Sequence, residues 1–149
     1  MERKESVKGN YVIDSSVVIK WFSKEEYTYL ALKIRKNFVD GNIEIVVPDL
    51  QLYEIANALR YNKNLGKSEV DNAVKSLIEI GIKIVVPTKA VMKTAINIAY
   101  DSELTVYDAY FIALAKELGF IFITADKKLY KKINNLNFVK FLGDFEIDI

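Results

Sequence analysis

Five short, almost uninterrupted apolar runs recur along the chain, and longer helical stretches separate them. The runs are YVID (11–14), IEIVVP (43–48), IKIVVP (82–87), FIFIT (120–124) and FVKFL (138–142). Such runs are typical of strands in a parallel sheet that is covered on both faces. Alternation with helices favours right-handed crossovers between the strands. We therefore expect an α/β fold, a three-layer α/β/α sandwich around a central, mainly parallel sheet of four to five strands.

Helical stretches fill the intervals between these runs. Seven helices are predicted, over 16–22, 25–39, 49–65, 68–80, 88–100, 105–118 and 126–133. Asp49 and Thr88 each follow a strand directly and are expected to cap the next helix, and Ser68 is expected to cap the fourth helix. Four glycines fall where helices should end: Gly41, Gly66, Gly81 and Gly119.

The chain has the length of one domain. Its 149 residues can bury a substantial core without disulfides, and no linker divides them, so we expect a single domain over 1–149. Residues 1–10 form a polar leader that lacks the apolar segment of a secretory signal. No apolar run approaches the ~20 residues that a membrane-spanning helix needs. We expect a cytoplasmic protein with no membrane partner.

The composition restricts the chemistry that this chain can perform. It contains no cysteine and no histidine, so a thiolate nucleophile, a disulfide and the usual proton-transfer side chain near neutral pH are all excluded. A net charge of +1 argues against a strongly basic nucleic-acid binder. Any catalysis must therefore depend on carboxylates, hydroxyls, amines or a bound metal.

Four carboxylates come from separated segments that this fold would bring to one edge of the sheet. Asp14 ends the first strand and Asp126 follows the fourth, so parallel strands place both at the edge where open α/β sheets bind ligands. Asp108 lies in the first turn of the helix that leads into the fourth strand. Glu54 lies one and a half turns into the helix after the second strand.

Most of these acids also have an explanation that involves no chemistry. Asp14 or Ser15 could cap the following helix, and Asp126 could cap the helix after the fourth strand. Thr105-x-x-Asp108 matches a capping box. Taken singly, Asp14, Asp108 and Asp126 are each more simply explained as part of a helix start, and the case for a site depends on all four acids pointing to one place.

A cluster of carboxylates needs a cation. Glu54 shares its helical row with Leu50, Ala58 and Tyr61, so a freely solvated position does not explain it. Carboxylates that face one another repel, and some would be protonated near neutral pH unless a cation offset their charge. Oxygen ligands without histidine or cysteine select Mg²⁺ or Mn²⁺. Such an ion can activate water and stabilise charge that develops on a phosphate.

Three stretches of this sequence resemble the PIN-domain ribonucleases, specifically the VapC-type toxins of toxin–antitoxin pairs. They are VIDSSVVIKWF, PDLQLYEIANALR and LTVYDAYFIALAKELGFIFITADKKL. The resemblance runs from about Tyr11 to the end of the chain, and the segment 104–129 is the most specific part. It implies a PIN-like fold and a metal-dependent endoribonuclease that cleaves RNA phosphodiesters by in-line attack of an activated water.

The resemblance also assigns residues to the site. The acidic quartet of the family matches Asp14, Glu54, Asp108 and Asp126, which would hold one or two Mg²⁺ or Mn²⁺ ions. Ser16 and Thr124 match its small hydroxyl positions, where they would orient the carboxylates or a water. Asn57 matches a polar position one turn after Glu54 that supports the site without binding the metal.

One departure from the family concerns the residues after Asp126. Many relatives have a further acid there, whereas this chain has Lys127 and Lys128, so the ligands of a second ion are few. These lysines could instead contact the RNA backbone. Lys20, Lys24 and Arg60 are the other candidates for RNA contacts, although a solvated basic surface is the simpler explanation of each.

The resemblance further implies partners. Proteins of this kind commonly form homodimers, and a small antitoxin protein inhibits them by inserting a segment into the acidic groove. The aromatic-rich stretches YDAYFIAL and EEYTYLALKI could contribute to a dimer contact, although core packing explains such residues more often.

Other classes of protein fit the sequence less well. A haloacid-dehalogenase-like phosphatase needs a second aspartate two residues after the first, where this chain has Ser16. A receiver domain needs a pair of acids near the first strand that is missing here. The main alternative is a PIN-like module that binds RNA or a protein and does not cleave, although uncompensated buried charge would then be costly.

Overall fold

A computed structural model describes residues 9–144. Residues 1–8 of the predicted leader lie outside this range, and its last two residues belong to the first strand. Five parallel strands form one sheet in the order β3-β2-β1-β4-β5. The strands are β1 (Gly9–Ile13), β2 (Ile43–Pro48), β3 (Lys83–Val85), β4 (Ile121–Thr124) and β5 (Val139–Phe141). The predicted α/β fold with a parallel sheet is confirmed.

Seven α-helices connect these strands within the described range. They are α1 (Ser15–Val18), α2 (Thr28–Val39), α3 (Leu50–Arg60), α4 (Lys67–Glu79), α5 (Lys89–Ser102), α6 (Val106–Leu118) and α7 (Lys127–Ile133). Two short 3₁₀ turns, Ile19–Trp21 and Leu142–Asp144, complete the structure. Among residues 9–144, no helix is both long enough and apolar enough to cross a membrane.

The sheet separates two hydrophobic cores. Ile13 of β1 and Ile123 of β4 pack on one face with the buried side chains of α1 to α4. Val12 and Phe122, their neighbours along the same strands, pack on the other face with α5 to α7. Because successive side chains of a strand point to opposite faces, nearly every strand position is apolar. The two cores and the sheet make the predicted three-layer sandwich.

The strand order creates a crevice between β1 and β4. From β1 the chain builds outward through β2 and β3, and α5 and α6 then return it to β4 on the other side of β1. Connections therefore leave these two strands in opposite directions, which opens a crevice outside their carboxyl ends. Ile13 and Ile123 are paired in register, and the Asp14 amide donates to the Ile123 carbonyl over 2.9 Å. The residues that follow both strands thus lie side by side.

Several predicted helix boundaries are wrong. The helix predicted over 49–65 ends at Arg60, since the Asn62 side chain accepts from the Asn64 amide over 2.9 Å and stabilises a turn there. Gly66 consequently begins α4 and does not end α3. Its amide donates to Glu69 over 2.7 Å, so the N-terminal hydrogen bond of α4 does not involve Ser68.

Other boundary residues behave more nearly as expected. The Thr88 hydroxyl accepts from the Val91 amide and caps α5, as predicted. Asp49 precedes α3, but its side chain makes no capping hydrogen bond. Three of the four glycines expected at helix ends, Gly41, Gly81 and Gly119, have positive φ angles of 80°, 97° and 71°.

We expect Phe122→Ala to lower the free energy of unfolding by about 3–5 kcal/mol, since the ring is fully buried beneath α6 and its loss leaves a cavity. Urea denaturation followed by circular dichroism measures this change. Tyr100→Ala is the control, because that ring is 83% exposed and its removal should change stability by about 0.5 kcal/mol or less. Equal effects of the two substitutions would contradict the layer assignment.

Candidate active site

Asp14 occupies a helix N-cap position but does not cap the helix. Its backbone is extended, with a ψ angle of 154°, and its carboxylate makes no hydrogen bond to the amides of α1. Instead, Oδ2 accepts from the Ser16 hydroxyl over 2.7 Å and from the Thr124 hydroxyl over 2.8 Å. The residue is only 7% exposed. The simple capping explanation of Asp14 is therefore wrong, and its carboxylate is held in a specific orientation.

The two hydroxyls that bind Asp14 also join the ends of β1 and β4. Ser16 Oγ accepts from the Ala125 amide over 2.9 Å, and Thr124 Oγ1 accepts from the Asp126 amide over 3.0 Å. Each hydroxyl thus accepts from the backbone and donates to the carboxylate. Thr124 is fully buried, so its proton has few alternative acceptors. These bonds fix the Asp14 side chain relative to the loop after β4.

Glu54 faces the same place from α3. The Ser15 hydroxyl donates to Glu54 Oε1 over 2.6 Å, which holds the carboxylate against the start of α1. Glu54 is half-buried. From the sequence, Ser15 was predicted only as a possible helix cap, and this contact was not predicted. The signal was the first serine of the D-S-S triplet, but only the packing of α3 on α1 reveals its partner.

Asp108 and Asp126 begin the helices on either side of β4. The Thr105 hydroxyl accepts from the Asp108 amide over 3.0 Å, so Thr105 caps α6 and Asp108 lies in its first turn, half-buried. Asp126 caps α7 by accepting from the Leu129 amide over 3.1 Å, and it is exposed. The capping explanation therefore holds for Asp126.

The carboxylates influence one another electrostatically. Burial raises the pKa of Asp14 from near 3.8 to about 6; the Ser16 and Thr124 hydrogen bonds oppose this rise, and the charges of Asp108 and Glu54 add to it. Burial likewise raises the pKa of Glu54, against the hydrogen bond from Ser15 and with a contribution from Asp108.

Asp108 connects this group to the fourth acid. Burial raises the pKa of Asp108, and the charge of Asp126 raises it further, while Thr105 and the charge of Lys132 lower it. The charge of Asp108 raises the pKa values of both Asp14 and Glu54, and the charge of Asp126 raises that of Asp108, so Asp108 is coupled to each of the other three acids. The structure thus brings the predicted acids to one edge of the sheet.

The chemistry of this site suits a hard divalent cation. Its donors are carboxylate and hydroxyl oxygens, and a cation would offset the burial and the mutual repulsion that raise the carboxyl pKa values. Among residues 9–144, no three acidic side chains are grouped closely enough to hold one ion jointly. This spacing is compatible with Mg²⁺, which usually binds one or two carboxylates and retains several waters.

Two residues of α3 that were predicted to be functional, Asn57 as a supporting residue and Arg60 as an RNA contact, lie on the outside of the molecule. Asn57 is exposed and makes none of the side-chain hydrogen bonds found at the acids. Arg60 is also exposed, and its guanidinium lies over the Tyr61 ring at 4.9 Å from the centroid. Both remain predictions as functional residues.

The lysines that were predicted to contact RNA differ in whether their ammonium groups are already paired with a carboxylate. Lys20 is buried, and its ammonium pairs with Glu25 over 3.2 Å. Lys127 is exposed and pairs with Glu26 over 3.4 Å. Lys24 and Lys128 are exposed and form no ion pair within the described range. Lys128 follows Asp126 by two residues, and its ammonium is unpaired among the described residues.

The sequence of the chain matches a known family. The family model for the PIN domain matches residues 11–134. Ribonuclease VapC3 of Pyrobaculum aerophilum is 31% identical to this chain over 125 residues, which cover 81% of this chain and 92% of the relative.

Solved structures share the fold at low sequence identity. A toxin–antitoxin complex from Klebsiella pneumoniae contains a chain that superposes with a TM-score of 0.67 at 14% identity, covering 87% of this chain and 95% of the other. The VapBC2 structure from Rickettsia felis, bound to a DNA fragment from its promoter, gives a TM-score of 0.65 at 14% identity, covering 89% and 98%. The structure of PAE2754 from Pyrobaculum aerophilum superposes with a TM-score of 0.64 at 19% identity and covers 91% of this chain and 90% of the other.

The raised pKa of Asp14 predicts that this residue contributes a loss of stability as the pH rises in chelator. The folded state favours the protonated acid, so this contribution is fully present below pH 3.8 and is lost as the pH passes through about 6. The difference between a pKa of 3.8 in the unfolded chain and about 6 in the folded chain corresponds to roughly 3 kcal/mol.

Urea denaturation in EDTA between pH 4 and pH 8 measures this dependence. Asp14→Asn keeps the shape of the side chain and cannot ionise, so between pH 4 and pH 8 its stability should fall by roughly 2 kcal/mol less than that of the wild type, because part of the contribution is already lost at pH 4. Parallel pH profiles for the two proteins would show that Asp14 has an ordinary pKa.

Proposed function

The chain belongs to the PIN-domain family, and from this premise we propose that it is a metal-dependent endoribonuclease that cleaves RNA phosphodiesters. The ribonuclease relative at 31% identity supports the reaction class. The observation that carries the proposal is Asp14, a buried carboxylate oriented by two hydroxyls at the crevice between β1 and β4. A buried acid without a neutralising lysine or arginine destabilises a fold, and a site that binds a cation explains its retention.

Asp14, Glu54, Asp108 and Asp126 are the proposed cation-binding residues. Mg²⁺ or Mn²⁺ supplies the activation of water and the stabilisation of negative charge on the phosphate when it is bound. Ser16 and Thr124 orient Asp14, and Ser15 orients Glu54, so that the carboxylate oxygens are held in place before a substrate arrives. Asp126 lies at the exposed rim of the group, where RNA approaches.

The basic residues near the rim are proposed to contact the RNA backbone. Lys127 and Lys128 begin α7 directly beside Asp126, so their ammonium groups can neutralise phosphates that flank the scissile bond. Arg60 and Lys24 lie farther from the acids along the chain, and they are also proposed to contact phosphates of the RNA. Lys20 contributes least, because its ammonium is buried against Glu25.

We further propose that the chain is the toxin of a toxin–antitoxin pair in the cytoplasm. Its structural neighbours include a toxin–antitoxin complex and VapBC assemblies, which supports a small antitoxin protein as a partner. A homodimer is the proposed oligomeric state. The proposed domain is the whole chain, of which the PIN model matches residues 11–134.

We expect Asp14→Asn and Glu54→Gln each to reduce cleavage of a mixed single-stranded RNA by about 100-fold or more, since even residues behind metal ligands contribute 10- to 100-fold. Cleavage is followed on denaturing gels with Mg²⁺, with Mn²⁺ and with EDTA. Glu44→Gln is the control, because Glu44 is exposed near the start of β2, at the opposite edge of the sheet.

Three outcomes distinguish the alternatives. Cleavage that requires a divalent ion and is lost in both site variants supports the proposal. Cleavage that persists in EDTA or in both variants identifies a contaminating nuclease. Binding of RNA without cleavage under every condition favours the alternative, a PIN-like module that binds RNA or a protein.

The proposed RNA contacts predict a change in salt dependence. The Lys127→Ala/Lys128→Ala double variant should bind RNA more weakly, and the slope of log K against log salt concentration should fall by about 1.4, since each lost contact to single strands removes ~0.7. Fluorescence anisotropy with labelled RNA in EDTA measures this without cleavage. Lys33→Ala/Lys36→Ala, on the exposed side of α2, is the control. Equal slopes for the two double variants would exclude the assignment.

A further inference from the structure

Gln51 is a fully buried amide at the start of α3. Its side chain is 0% exposed, and Nε2 donates to the Ile13 carbonyl over 2.7 Å. Its other polar atom, Oε1, accepts no hydrogen bond from any residue in the described part of the chain. Neither the motif of the acidic site nor its known chemistry uses this side chain.

The hydrogen bond of the Gln51 side chain does not stabilise the fold enough to explain why a glutamine occupies this position. One hydrogen bond within the protein stabilises a fold modestly, because the unfolded amide bonds to water equally well. A buried acceptor without a donor destabilises the fold by a similar or larger amount. The amide of Gln51 therefore contributes little net stability, and a methionine of similar volume could fill the same space without an unpaired oxygen.

The hydrogen bond from Gln51 to the Ile13 carbonyl connects α3, which carries Glu54, to the end of β1, which Asp14 follows. The Ile13 carbonyl belongs to the peptide that joins Ile13 to Asp14. On α3, Gln51 precedes Glu54 by three residues, so both side chains project from the same side of the helix, one turn apart. The Ser15 hydroxyl bonds to Glu54 over 2.6 Å. Two hydrogen bonds from successive turns of α3 thus reach the residues immediately before and after Asp14.

We propose that Gln51 is a positioning residue that holds α3 against the end of β1 and so keeps the Glu54 and Asp14 carboxylates in the relative position that the proposed cation site needs. This inference depends on the proposed function. Gln51 contacts neither the cation nor the RNA. It acts through the Ile13 peptide on one side and through the first turns of α3 on the other.

We expect Gln51→Met to weaken Mn²⁺ binding about 10- to 100-fold, the effect typical of residues that support metal ligands. The melting temperature should stay within about 4 °C of the wild type, since the lost bond and the removed unpaired acceptor offset each other. Isothermal titration calorimetry with MnCl₂ and thermal unfolding in EDTA measure the two effects on the full chain. Gln51→Asn is the second variant, because it keeps the amide but is one methylene too short to reach Ile13.

Asn37→Leu is the matched control. Asn37 is also a buried amide, but it lies on α2, donates to the Lys33 carbonyl over 2.9 Å and accepts from Asn42 over 3.1 Å. Both of its polar groups are paired, so its loss should lower the melting temperature and leave Mn²⁺ affinity unchanged. The two positions are thus expected to show opposite patterns.

Each remaining outcome overturns a defined statement. If both Gln51 variants bind Mn²⁺ as tightly as the wild type, the positioning role is wrong and the proposed nuclease stands. If Gln51→Met and Gln51→Asn lose stability to the same extent as Asn37→Leu and keep their Mn²⁺ affinity, Gln51 is a structural residue only. If the wild type binds no Mn²⁺ and cleaves no RNA, the proposed function fails together with this inference.

Discussion

The hydrogen bonds that Ser16 and Thr124 donate to Asp14 join two distant parts of the chain at one carboxylate. They depend on the parallel pairing of β1 with β4, which places the residues after Ile13 and Ile123 side by side. That pairing exists because the chain returns to β1 through α5 and α6 after building the sheet outward through β3. The acidic site is therefore a product of strand order, and a different order would separate its residues.

Electrostatics at this edge oppose stability. Burial raises the pKa values of Asp14, Glu54 and Asp108, and the charges of neighbouring carboxylates, Asp126 among them, raise these pKa values further. Hydroxyl donors reduce that cost without removing it, because a neutral donor leaves the net charge of the group in place. Such an arrangement gives up stability at one place, as functional sites in proteins commonly do.

The sequence was sufficient to predict the layers, the parallel strands and the edge at which the acids meet, since these follow from periodicity and from where each strand ends. The end of α3 at Arg60 was not predictable, because the side chain of Asn62 competes locally with the helix. Ser15 and Gln51 were missed for another reason. Their partners, Glu54 and Ile13, are 39 and 38 residues away, and only tertiary packing identifies them.

The two oxygens of the Asp14 carboxylate have different surroundings. Ser16 and Thr124 both bond to Oδ2, and the Thr124 hydroxyl itself accepts from the Asp126 amide. The hydrogens of both hydroxyls point toward Oδ2, so protonation of this oxygen is disfavoured. Oδ1 takes part in neither of these two hydrogen bonds, so a proton and the proposed cation would compete for this oxygen.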